Sequence, residues 1–310
     1  MTEEVIHGEA TGLQMDERKS SRLEKEELGR EKQHRALRRF FRNRLAAAGL
    51  FVIIGLVVVA VLAPVIAPYD HWQPHFDAVR AAPSARFLLG TDDMGRDVLS
   101  RLIYAGRISV TVGIIAVVIF EVIAVVLGCV SGYFGGAVDV TIQRVVDVVM
   151  CFPTMVIILI FIAFLGQSIY HVTIAIALLS WPGPTRLFRG QALQLREMDY
   201  VLAARAVGAS QGRIIVKHVL PGIVSALVVN ATFGVAGAVM TEAGLSFLGL
   251  GVQPPTPSWG NMLMGSQNLT KLQTMPWLWL PPGLAIVITV LAINFIGDGL
   301  RDALDTKQVM

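Results

Sequence analysis

Six runs of mostly apolar residues divide this 310-residue chain, at about 45–67, 108–131, 143–165, 169–186, 218–241 and 278–300. A helix needs about 20 such residues to cross a hydrocarbon core about 30 Å thick. Backbone polar groups inside lipid have to be satisfied within their own segment, so runs of this length predict helices rather than strands. Composition points the same way: 54% of the residues are hydrophobic and 16% charged, against about 45–50% and about 25% in soluble domains. The pattern predicts an all-α, polytopic membrane protein with six transmembrane helices. The formal charge of +3 is small and dispersed, which points away from nucleic acid as a partner.

Basic residues set the expected orientation. Eleven Lys and Arg fall in residues 1–44, one at Arg144, six between Arg186 and Lys217, and two in the tail at Arg301 and Lys307, twenty in all. The intervening loops hold only Arg80, Arg86, Arg96, Arg101, Arg107 and Lys271. The positive-inside rule then places both termini and the 186–217 loop in the cytoplasm, with 68–107 and 252–277 outside. The first apolar run begins only after Arg44 and exceeds a signal-peptide core of about 7–15 residues, so no cleaved signal is expected. Pro153, Pro182/Pro184 and Pro281/Pro282 predict interruptions in three later spans, which bundle helices tolerate.

Three regions follow. Residues 1–34 read as a charged cytoplasmic tail. Residues 35–107 read as an interfacial helix, the first transmembrane helix and an external loop. Residues 108–310 read as the core domain, with five transmembrane helices and the cytoplasmic segment 190–217. From Arg35 to Arg44, Leu37, Phe40, Phe41 and Leu45 share one helical face, and Arg35, Arg38, Arg39 and Arg42 crowd the rest. That pattern suits a helix lying on the inner leaflet; a charged lead-in to the first span, with no separate helix, also fits.

Between Asp199 and Pro221 the chain reads DYVLAARAVGASQGRIIVKHVLP. It resembles the cytoplasmic coupling segment of ABC-importer permeases, whose pattern is Glu-Ala-Ala, three residues, Gly, nine residues, Ile-x-Leu-Pro. Ala203-Ala204, Gly208 and Leu220-Pro221 fall in register, while Leu202 replaces the usual Glu and His218 the usual Ile. Two further stretches, LGTDDMGRDVLSRLIYAGRISVTVG from Leu89 and EAGLSFLGLGVQPPTPSWG from Glu242, resemble the C-type permease subunits of dipeptide and oligopeptide ABC importers. The resemblance covers roughly residues 36–308.

It implies a type I ABC-importer permease fold in the cytoplasmic membrane of a prokaryote and a cargo of di- or oligopeptides. The implied partners are a homologous second permease subunit, two ABC ATPase subunits that bind ATP and Mg, and an extracytoplasmic peptide-binding protein. No cofactor and no catalysis are expected in this chain itself. Tyr200, Ala203, Ala204, Arg205, Gly208, Ala209 and Ser210 are the residues the resemblance assigns to ATPase coupling. Their chemistry suits that role: alanines favour helix, and Gly208 leaves room for another backbone to approach.

Other motifs are weaker. Gly90 to Asp97, GTDDMGRD, mimics a phosphate-binding loop, but Arg96 and Asp97 replace the Lys and Ser/Thr that would reach phosphate and magnesium. Glu121 lies mid-way along the second span, where a carboxylate is costly and faces a bundle interior or a wet cavity. It is a candidate for the translocation path, with a buried structural Glu as the alternative. Asn230 and Asn294 fit either interhelical hydrogen bonding or the path. Glu242, near the outer end of the fifth span, reads as an interfacial residue. Gly128, Gly132 and Gly136 suit close helix packing or a turn. Cys129 and Cys151 read as small buried hydrophobes rather than a disulfide. No metal-binding motif or nucleophile elbow appears. The rival from another class is an ion-coupled secondary transporter acting without ATPases, for which Glu121 and Pro153 are the only hint.

Overall fold

A computed structural model describes residues 37–304; the 1–34 tail, Arg35, Lys307 and Met310 lie outside the described residues. Every named element among the described residues is a helix, and one isolated bridge joins Thr91 to Asp97. Residues 37–42 are helical. Asn43 then breaks the direction and caps α1 (Arg44–Val61), its side chain accepting from the N–H groups of Leu45 and Ala46 at 3.1 and 3.3 Å. A short α2 (Ala63–Ile66) follows.

The long helix α3 (Val98–Phe134) begins ten residues before its apolar run. Its 37 residues extend about 55 Å, well beyond a bilayer core. The early start has a local cause: Asp97 accepts from the Ser100 backbone N–H at 2.7 Å and from its hydroxyl at 2.6 Å, which satisfies donors the first turn leaves free. Gly135 and Gly136, both at positive φ, end it.

The third apolar run folds as two helices, α4 (Gly136–Met150) and α5 (Thr154–Leu165), bent by 78° at the break. Pro153 supplies no N–H and drives Phe152 out of helical conformation. The fourth run becomes α6 (Ile169–Ser180), only 12 residues long, and α7 (Pro182–Leu195), which Pro182 opens. Next come α8 (Asp199–Ala206) and α9 (Gln211–Ile214). A π-turn over Ile215–Val219 leads into α10 (Leu220–Phe247). Pro221 cannot donate to the Lys217 carbonyl four residues back, and the wider turn relieves that clash. Two short helices, α11 (Trp259–Met264) and α12 (Leu269–Thr274), precede α13 (Leu280–Leu304). Pro281 and Pro282 sit in the first turn of α13 and do not interrupt it, contrary to the sequence expectation.

Four helical stretches are long and apolar enough to cross a membrane: α1, α3, Gln211–Phe247 and α13. The bent α4–α5 pair makes a fifth if it is one span. The main core lies where α3 packs against α6, α7 and α10, around Val117, Phe120, Ile176, Phe188 and Ile223. Helix α1 runs along α13, where Gly49 and Gly299 let the two backbones approach. Phe40 is buried in this second cluster, whereas Leu37, Phe41 and Leu45 are about half exposed, so the expected common face is split.

Candidate functional site

Helix α7 carries the 199–214 segment and is anchored on α3 at very short range. A Cβ on Gly132 would stand 2.6 Å from both the Ala192 Cβ and the Arg189 carbonyl, and one on Gly128 would stand 2.7 Å from the Phe188 Cβ. Close packing is therefore the reason for two of the three spaced glycines, while Gly136 lies in open space at φ 53°. Charges reinforce the anchor. Arg189 grips Asp139 of α4 through both Nε and Nη2 at 2.6 Å, and the Ser131 hydroxyl donates to the same carboxylate at 2.5 Å. Arg186 reaches Asp147 at 2.5 Å, and Arg196 donates to the Gly132 carbonyl at 3.3 Å. The Arg205 guanidinium lies 5.6 Å from the centre of the Tyr133 ring.

Beyond this anchor, α8 turns one side inward. Val201 is fully buried and Ala204 packs on the core. Tyr200, Ala203, Arg205, Gly208 and Ser210 are exposed, and Ala209 is half-buried. Met198, Leu202 and Val207 extend the exposed apolar surface, Val207 at 84%. Gly208 has φ 78°, with nothing among the described residues within 4 Å of an added Cβ. Its first requirement is thus the left-handed turn that ends α8, rather than a close approach within this chain. His218, one of the two departures from the coupling pattern, lies with its ring 6.3 Å from that of Tyr200.

Two polar clusters occupy the bundle. Glu121 is 4% exposed, and Asn230 Nδ2 on α10 donates to its Oε1 at 2.5 Å; its Oε2 is buried with no hydrogen-bond partner among the described residues. Asn294, half-buried on α13, makes no side-chain hydrogen bond among the described residues. The structure thus joins two of the three candidate path residues and leaves the third apart.

Glu242 corrects the interfacial reading. It is fully buried, accepting from Ser109 at 2.8 Å and from Ser246 at 2.7 Å. A carboxylate directly after the apolar run, with Ser246 one turn on, was the available signal; its partnership with Ser109, 133 residues away, had none.

At the same end, the 68–97 and 252–278 loops interlock. Asp93 pairs with Arg80 at 2.6 Å and Lys271 at 2.5 Å, and Trp277 Nε1 donates to the Thr91 carbonyl at 3.3 Å. Partial burial raises the Asp93 carboxyl, but hydrogen bonds from Lys271 and Arg80 outweigh it and hold the group below its usual 3.8. A lowered carboxylate value means this clasp is complete at neutral pH and is lost only as pH falls through that lowered value. Glycines at 90 and 95 and the Asp92 side chain shape GTDDMGRD as a turn, with Asp92 accepting from the backbone N–H groups of Met94 and Arg96, both at 2.9 Å. Cys129 is buried and Cys151 exposed, both free. No group of three metal-ligating side chains occurs among the described residues.

Comparison with known proteins gives this arrangement its context. Residues 124–309 match the family of binding-protein-dependent transport system inner membrane components, and residues 34–83 match the N-terminal transmembrane domain of oligopeptide transport permease C. The chain belongs to the binding-protein-dependent transport permeases. It is 43% identical over 273 residues to a Brucella suis protein provisionally named a peptide permease, covering 88% of this chain and 90% of that one. Over 273 residues it is 39% identical to the dipeptide transport system permease protein of Alkalihalophilus pseudofirmus, covering 88% and 89%. It is 41% identical over 272 residues to the glutathione transport system permease protein of Pectobacterium atrosepticum, covering 87% and 89%. The permease is therefore a multi-pass membrane protein of a transport family rather than an enzyme family, and such systems work with ATPases and a substrate-binding protein.

Proposed function

We propose that this permease imports di- or oligopeptides across a prokaryotic cytoplasmic membrane, driven by ATP hydrolysis in partner subunits. The carrying observation is the α7–α9 arm, a rigidly anchored helix that presents an exposed, small and apolar surface at its tip. Tyr200, Ala203, Arg205, Gly208 and Ser210 form the coupling surface, Ala204 and Ala209 seat it on the core, and a groove on each ATPase receives such a helix. Because α7 is packed on α3 backbone to backbone, a displacement of the tip moves α3 as a body. Helix α3 carries Glu121, which with Asn230 faces the path shared with a homologous second permease subunit. Six spans, counting α4–α5 as one and α6 with the first turn of α7 (169–186) as another, put both termini and the rest of the arm in the cytoplasm, as the basic residues demand. A peptide-binding protein delivers cargo at the opposite end. Dipeptide, peptide and glutathione names among the relatives all denote cargo with peptide bonds, which supports the cargo class.

The test is uptake by the reconstituted complex in proteoliposomes. Labelled peptide accumulates only with ATP and the binding protein, and uptake survives collapse of proton and sodium gradients. Gradient-driven uptake by this chain without ATPases would overturn the proposal in favour of secondary transport.

A further inference from the structure

The loop between α10 and α11 is held to the bundle by one carboxylate acting through two serines. Ser246 donates its hydroxyl proton to Glu242 Oε1 at 2.7 Å and accepts from the backbone N–H of Val252 at 3.0 Å. Ser109, on α3, donates to Oε2 at 2.8 Å and accepts from the backbone N–H of Trp259 at 3.3 Å. Each carboxyl oxygen takes the hydroxyl proton of one serine, which leaves that serine's oxygen free to accept from a loop N–H. Both ends of the 252–259 loop are thereby tied to one side chain. Asn261 closes the interior of the loop, donating to the carbonyls of Val252 and Thr256 at 3.0 and 2.8 Å. The Trp259 side chain is 2% exposed and donates to the Leu102 carbonyl on α3 at 3.3 Å. Glu242, Ser109 and Ser258 are fully buried. Breaking such a network strands several buried polar groups at once, each a substantial penalty.

We propose that Glu242 is a positioning residue for transport: it makes the 252–259 loop a fixed part of α3 and α10, so all three move as one body during the cycle. Access at this end then changes by motion of that body against its surroundings, and not by lifting of the loop. The assignment rests on the transport reading, but its main readout is independent of cargo.

The experiment uses the purified complex with its ATPases in nanodiscs, with both faces open to reagent. Cys151 is replaced by Ser, and Val252, only 3% exposed, is replaced by Cys and reacted with a maleimide. With Glu242 intact, labelling stays at least about tenfold slower than that of native Cys151, at rest and during ATP turnover. Glu242→Gln keeps one acceptor oxygen but places an amide donor against the other serine, so labelling accelerates and peptide transported per ATP falls. Ser246→Ala frees the Val252 end alone and serves if Glu242→Gln fails to assemble; it also accelerates labelling. Rapid labelling of Val252→Cys during turnover with Glu242 intact would overturn the proposal. Unchanged labelling and uptake in both Glu242→Gln and Ser246→Ala would do so equally.

Discussion

Replacing Gly208 by Asn, Ala and Asp in turn separates two costs that a single substitution confounds. At φ 78°, a residue with a Cβ pays about 1–2 kcal/mol for left-handed backbone, and Asn tolerates that region better than Ala. Among the described residues nothing lies within 4 Å of the added Cβ, so strain is the intramolecular cost they impose. Strain of that size shifts a local equilibrium by a factor of about 5–30, enough to loosen the end of α8 but not to unfold a bundle. Docking adds a second cost, because a carboxylate brought unpaired into a closely packed contact loses far more than strain alone. If strain were everything, activity would follow Gly, then Asn and Asp, then Ala. If the coupling surface packs at Gly208, Asn already fails despite its mild strain, and Asp fails completely. The assay is recovery of ATPase subunits with the tagged permease, together with peptide-stimulated ATP hydrolysis, at matched amounts of inserted chain. We expect Gly208→Asn to lower stimulation and Gly208→Asp to abolish it. Wild-type recovery and stimulation in both variants would refute the docking role of this position.

Two further outcomes follow from the same structure. Reporter fusions after Ala82 and Gln267 should read as external and those after Arg196 and Met310 as cytoplasmic; a cytoplasmic signal at Gln267 breaks the proposed orientation. Glu121→Gln keeps an acceptor for Asn230 and should assemble normally while changing uptake rate or preference for charged peptides. Glu121→Ala leaves the half-buried Asn230 amide without this partner at a cost of about 1 kcal/mol, and normal yield with wild-type uptake in that variant would remove Glu121 from both path and packing.

The helical, membrane-spanning character was legible because it depends on run length and local hydrogen bonding, which a sequence carries directly. Helix boundaries were less legible: α3 starts at the Asp97 cap, ten residues before its apolar run, and ends at Gly135 and Gly136. The 199–221 segment stood out as a spaced pattern, and the structure gave Gly208 a local reason the pattern did not contain. Pro153 announced a break, but not that the break would be a 78° bend. What only the tertiary structure decided is which polar groups meet. Glu121 with Asn230, Asp139 with Arg189, and Glu242 with Ser109 are 109, 50 and 133 residues apart. Each pair exists because helices pack in one register, set by contacts such as Gly132 against Ala192. A carboxylate in an apolar run reveals from sequence that it needs a partner; which distant helix supplies one depends on that register.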